Sequence, residues 1–90
     1  MEALTSVKNE SGSGAIRIWP NPASDHLVCK LAGISGMERI KLINACGVVV
    51  LDRTVREEQE RYNIAHLSPG IYLVQHISEN KIQQVKLLIN

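Results

Sequence analysis

The chain contains no phenylalanine, and its one tryptophan and two tyrosines make up only 3% of 90 residues. Any core it builds must therefore be aliphatic. Two cysteines are too few for a disulfide framework, and they lack the spacing of a metal-binding pair. Charge of one sign is also missing: ten basic residues face nine acidic ones, interspersed, for a formal net charge of +1. Without a basic stripe nothing holds a phosphate backbone, so nucleic-acid binding is not expected. Apolar runs such as Val48-Val49-Val50-Leu51 stop far short of a membrane-spanning helix, so no transmembrane segment is expected either. Met1-Glu2-Ala3-Leu4 does not open a secretory signal, because no basic stretch leads into an apolar block. If the protein is exported, the expectation is an N-terminal signal on a longer precursor of which this chain is the last piece.

What is present divides at residue 15. The stretch before it, ending Glu10-Ser11-Gly12-Ser13-Gly14, is small and polar, with too little apolar surface to offset the entropy of ordering it. Residues 1–14 therefore read as a flexible linker, and residues 15–90 as one domain. A core built from about 75 residues gives modest stability, about 5 kcal/mol or less.

Beyond the linker, apolar residues recur with period two in short runs separated by turn signals, which predicts an all-β domain. Ile16 and Ile18 alternate with Arg17. The first strand must stop at Trp19 or Pro20, because Pro20 and Pro22 fix φ at alternate positions and remove two backbone donors. Asn21, before Pro22, is pushed toward an extended conformation, and Asp25 is placed to cap a tight turn. Leu27, Cys29 and Leu31 alternate with Val28 and Lys30. Residues 38–43 and 48–51 form a hairpin around Asn44-Ala45-Cys46-Gly47, with Asn opening a type I turn and Gly supplying the left-handed residue of a bulge.

The charged run of residues 52–61 offers only Val55 as an apolar anchor, so it reads as a solvated loop or edge strand rather than a helix. Tyr62 to Leu67 restores alternation. Ser68-Pro69-Gly70 then launches a strand over residues 71–77, and Ser78-Glu79-Asn80-Lys81 reverses it into residues 82–89. Seven short strands at this spacing predict a mainly antiparallel, Ig-like β-sandwich. The expected core is Ile16, Ile18, Leu27, Leu31, Ile40, Leu42, Ile64, Leu73, Val85 and Leu87, so that Leu73→Ala would leave much of the domain unfolded.

No catalytic constellation emerges. His26, His66 and His76 fall at unrelated spacings, without a metal-binding partner or a nucleophile beside them, and each reads as surface or half-buried. Cys29 reads as a small core residue and Cys46 as an exposed turn residue. A bridge between them is the lesser alternative, since a strand interior and a hairpin tip rarely bring Cβ atoms close enough. No cofactor, metal site or enzymatic activity is expected.

Several stretches together resemble the C-terminal sorting domain of the type IX secretion system, over roughly residues 15 to 90. Pro20-Asn21-Pro22, followed by Asp25 and Leu27, resembles its opening Pro-x-Pro turn before a strand. Residues 41–50 look like its apolar hairpin, Leu67-Ser68-Pro69-Gly70-Ile71-Tyr72-Leu73-Val74 is similar to its Gly-x-Tyr stretch, and Lys81 with Val85-Lys86-Leu87-Leu88-Ile89 resembles its closing strand. The chain departs from the pattern in ending on Asn90 rather than a basic residue and in carrying Trp19.

The resemblance implies a secretion signal that directs an upstream cargo through the periplasm and across the outer membrane. Its implied partners are the type IX translocon and a sortase-like peptidase that removes the domain and attaches the cargo to anionic lipopolysaccharide. Candidate recognition residues are Pro20, Asn21, Pro22, Asp25, Gly70, Tyr72, Lys81, Lys86, Leu87 and Ile89, and the candidate cleavage zone is Ser11, Gly12, Ser13 and Gly14. An exposed C-terminal strand would offer unpaired backbone groups for strand addition by a translocon component, and in isolation for a strand-exchange dimer. The alternative is a retained Ig-like adhesion or docking module on a cell-surface protein, because fold does not fix function.

Overall fold

The computed structural model describes residues 16–34, 36–79 and 81–90. The linker, its cleavage zone and the expected start at Ala15 lie outside the described residues. Seven strands are present: β1 (Arg17–Trp19), β2 (His26–Lys30), β3 (Arg39–Ile43), β4 (Val49–Thr54), β5 (Gln59–Asn63), β6 (Gly70–Ile77) and β7 (Ile82–Ile89). They form a three-stranded sheet in the order β1-β2-β5 and a four-stranded sheet in the order β4-β3-β6-β7, with every ladder antiparallel. This division of seven strands is that of an Ig-like sandwich.

Turn chemistry sets the strand ends. Asn44 Oδ1 accepts from Cys46 N and Val48 N, both at 2.9 Å, while Gly47 N donates to Asn44 O and takes a φ of 85°. Asn44 N donates to Val48 O at 2.9 Å, so Gly47 is the expected bulge residue, and a separate shift between Leu42 and Ile43 leaves Val50 as an extra residue on β4. β4 runs on through Asp52 to Thr54, beyond the apolar run, because Arg39 clamps Asp52 across the ladder at 2.7 and 3.1 Å.

The charged stretch after it is loop and edge strand. β5 begins at Gln59, earlier than the alternation at Tyr62 indicates, and ends at Asn63, whose side chain accepts from Ala65 N at 2.9 Å and turns the chain. Val55, its lone apolar residue, is buried and donates its N–H to Glu38 O at 2.9 Å.

Between the sheets lies an aliphatic core led by Leu27, Ile40, Leu42, Ile64, Val74, Leu87 and Ile89, with Ala23, Leu31, Leu51 and Tyr62 around them. Each fully buried aliphatic side chain of this size contributes about 1.5–3 kcal/mol by leaving water. Ile16, Ile18 and Val85 are partly buried. Cys29 is buried and Cys46 exposed, and both are free thiols.

The expected placement of Leu73 in the core is wrong. Tyr72, Val74 and His76 point inward, and Leu73 faces outward at 39% exposure. The stretch Ile71-Tyr72-Leu73-Val74 is apolar throughout, so period two alone does not choose its face. The Tyr72 hydroxyl makes the choice by donating to Ser68 O at 2.6 Å, the tie of a tyrosine corner at the start of this strand.

His76 is a second correction, being 5% exposed rather than surface or half-buried. Neither ring nitrogen has a partner among the described residues. Burial pushes its pKa below the ordinary 6.5, opposed by the nearby Glu38 carboxylate and reinforced by the Lys81 ammonium.

Two predictions follow from this packing. Leu42→Ala removes a fully buried side chain and should cost about 2–5 kcal/mol, whereas Leu73→Ala should cost less than about 1 kcal/mol. Urea unfolding of the two variants beside the parent checks the difference. The second concerns acid. A His76 that is depressed when folded lets the unfolded chain take up the proton first, so stability should be level above the ordinary value of 6.5 and fall as pH drops through it. Melting temperatures between pH 8 and pH 5 should show that fall, and His76→Gln should flatten it.

Candidate functional site

The two ends of the domain's expected recognition sequence meet on one edge. After β1 stops at Trp19, the chain crosses from the three-stranded sheet to the outer edge of β7 before returning as β2. Both X–Pro bonds of this segment, Trp19-Pro20 and Asn21-Pro22, are cis. Neither proline has an N–H to donate. Asn21 supplies hydrogen bonding from its side chain instead: Nδ2 donates to Lys86 O at 3.1 Å, and Oδ1 accepts from Leu88 N at 3.0 Å.

One carboxamide thus presents a donor and an acceptor to β7 as a peptide group of a neighbouring strand would. Ala23 completes the cover with its main chain, donating to Leu88 O and accepting from Asn90 N, both at 2.8 Å. The result is a parallel bridge between Ala23 and Ile89, two residues buried almost completely.

The expected unpaired backbone groups of the C-terminal strand are thereby covered over part of the β7 edge. On β7 the even-numbered residues turn their backbone groups to the free edge. In its C-terminal half, the Lys86 carbonyl and both Leu88 groups are taken by Asn21 and Ala23. Ile82 and Gln84 have no backbone partner on that edge among the described residues.

The remaining candidates divide by burial. Tyr72, Leu87 and Ile89 are buried, with Tyr72 opposite Leu87 and Gly70 opposite Ile89, so they hold the face on which β7 sits. Gly70 takes a φ of 154°, a backbone conformation that L side chains rarely adopt, although a Cβ there would meet nothing within 4 Å. Its role is conformational. Pro20, Asn21, Pro22, Asp25, Lys81 and Lys86 are exposed. Lys86 lies beside the Asn21 contact, whereas Lys81 sits in the turn at the opposite end of β7, where its carbonyl accepts from Ser78 N at 2.9 Å.

Asp25 begins the next polar group. His26 Nδ1 lies 2.8 Å from Asp25 Oδ1, and this hydrogen bond, with one from the Asp25 backbone, holds the carboxyl below its ordinary value. Arg61, Asn63 and Ala65 complete an open, polar cleft beside the pair. Elsewhere, burial and the Glu60 carboxylate push the Cys29 thiol up to about 12, which leaves it a poor nucleophile. Among the described residues no three His, Cys, Asp or Glu side chains are grouped to hold a metal ion, and no helix is long and apolar enough to cross a membrane.

The model of the secretion system C-terminal sorting domain matches residues 17–90. The chain belongs to this type IX secretion family. No curated protein matches the chain. The match spans the Pro-Asn-Pro segment, the Gly-x-Tyr strand and β7, the parts that the fold brings into contact. Sorting domains of this family are signals rather than enzymes, and membership implies an upstream cargo and export toward the outer membrane or beyond it.

The sequence marks Asn21 and Lys86 as candidates but not the contact between them. The available signal was an amide side chain between two prolines, where the main chain is short of donors. Asn21→Ala should remove both side-chain bonds to β7 and, at about 0.5–1.5 kcal/mol each, lower stability by about 1–3 kcal/mol. Asn21→Asp keeps the acceptor for Leu88 N but turns a carboxylate oxygen toward the Lys86 carbonyl, so it too should fall below the parent in a urea titration.

Proposed function

We propose that this sorting domain carries its cargo across the outer membrane by presenting a folded C-terminal edge to the type IX translocon. The family match over residues 17–90 carries this reading, and the convergence of residues 20–23 on β7 supports it. Direct recognition falls to the exposed members of the candidate set, Pro20, Asn21, Pro22, Asp25, Lys81 and Lys86. Gly70, Tyr72, Leu87 and Ile89 act by fixing the strand they project from. The open half of the β7 edge, at Ile82 and Gln84, is the place where a translocon strand would add.

After passage through the periplasm, a sortase-like peptidase removes the domain within Ser11, Gly12, Ser13 and Gly14 and attaches the cargo to anionic lipopolysaccharide at the cell surface. The domain is then substrate and ligand, never catalyst.

A reporter fused to this domain, in a host with a working type IX system, tests the reading. Deleting residues 81–90 should abolish export and leave the reporter in the periplasm. Lys81→Gln with Lys86→Gln keeps the buried side chains, and loss of export from a normally folded double variant would assign recognition to those charges. Normal export from the deletion would contradict the proposal.

A further inference from the structure

The outer face of the four-stranded sheet is apolar where a sandwich surface is ordinarily polar. The ladder registers arrange its side chains in rows. One row runs Val49, Ile43, Leu73 and Lys86 from β4 to β7, and the next pairs Ile71 with Leu88. Ile71 is 52% exposed and Leu88 42%, with Leu73 and Val49 similarly open. The neighbouring row, Asp52, Lys41, Gln75 and Gln84, is polar: Asp52 is clamped by Arg39 of the row beyond, and Gln75 Nε2 donates to Gln84 Oε1 at 3.1 Å. No part of the core uses this patch.

Its charge narrows what covers it. The ionised groups that the alternation places on this face are Arg39, Lys41 and Lys86 against the single carboxylate of Asp52, and Asp52 is engaged by Arg39. The patch is therefore apolar with two cations, Lys41 and Lys86, that have no ion-pair partner among the described residues, and Lys86 lies inside the apolar row. Two lysines fall short of the cluster of about four to eight that holds a basic segment on anionic lipid. A second copy stacked face to face would set two faces of the same net positive charge against each other. An apolar protein surface flanked by carboxylates matches both features.

We infer that this outer face, centred on Leu73, is a docking surface for an apolar, carboxylate-flanked protein surface of the export machinery. The inference rests on the sorting reading and adds to it a side-chain contact area on the outer face of β3, β4, β6 and β7, distinct from the main-chain edge of β7. Apolar side chains at its centre exclude water, and Lys86 sets orientation through the opposing carboxylates.

The reporter fusion tests this with surface variants. Ile71→Thr with Leu73→Thr keeps β-forming residues at exposed positions, so its circular dichroism and melting should stay close to the parent's. Its export should fall by at least about tenfold, the size of effect expected when central contact residues are lost. Lys86→Glu, a surface charge reversal, should reduce export in the same direction, and Lys86→Arg should restore it.

Export within about twofold of the parent from a folded Ile71→Thr, Leu73→Thr protein, or from Lys86→Glu, would overturn the inference. Two further results on the purified domain would also overturn it by naming another occupant: dimerisation in sedimentation, or binding to phosphatidylglycerol vesicles, that the double Thr variant abolishes. Failure of the parent fusion to export would be seen in the same experiment and would remove the sorting reading itself, and this inference with it.

Discussion

The main-chain pairing of Ala23 with Ile89 is the contact on which the rest of the arrangement depends. Side chains alone hold most sandwiches together, but here a segment continuous with the three-stranded sheet hydrogen-bonds to the edge of the four-stranded one. That bridge seals the open side of the aliphatic core, where Ala23 is completely buried. It also fixes β7 in register beside β6, with Leu87 and Ile89 inward and Lys86 and Leu88 outward. The prolines on either side of Asn21 limit what the main chain can donate, and the carboxamide makes up the difference. Segments almost 70 residues apart in sequence, Asn21 and Leu88, are thereby joined in one surface.

In the function proposed above, two demands compete for the same strand. β7 must be held well enough to keep its shape, yet something on it must remain readable. The fold meets both by division. Inward side chains and the covered half of the edge give rigidity, while the outward side chains and the groups near Ile82 and Gln84 stay accessible. Burial of Tyr72 and the φ of Gly70 belong to the first task. Gly70 and Tyr72 thus serve the fold, and the residue between them, Ile71, is the one that faces out.

Much of this was legible in the sequence for identifiable reasons. Turns declared themselves through Asn44 and Gly47, Ser68 and Pro69, and the two early prolines, and these marked the end of β1, the β3–β4 hairpin and the start of β6. Alternation gave the inward faces of β2 and β3, where Val28 with Lys30, and Arg39 with Lys41, mark the outside. It failed on β6, because four consecutive apolar residues carry no parity and a hydroxyl bond to Ser68 decides the face. β5 was misplaced toward Tyr62 because its first half is charged: Glu60 is partly buried at a sheet edge, where it accepts from the Tyr62 hydroxyl at 2.8 Å and from Arg56 N at 3.1 Å. The Asn21 contact was not legible, since nothing local in Pro-Asn-Pro indicates which distant strand it will meet.

Amide hydrogen exchange along β7 of the unmodified chain, resolved by residue, tests the central claim most directly. Leu88 and Asn90 donate to Asn21 and Ala23, whereas the Gln84 amide faces the same edge without a partner among the described residues. The account requires Leu88 and Asn90 to exchange at rates near those of the paired amides of β6, with Gln84 far faster. If Leu88 and Asn90 exchange as fast as Gln84, residues 20–23 do not close the strand in solution, and the joined surface described here does not exist.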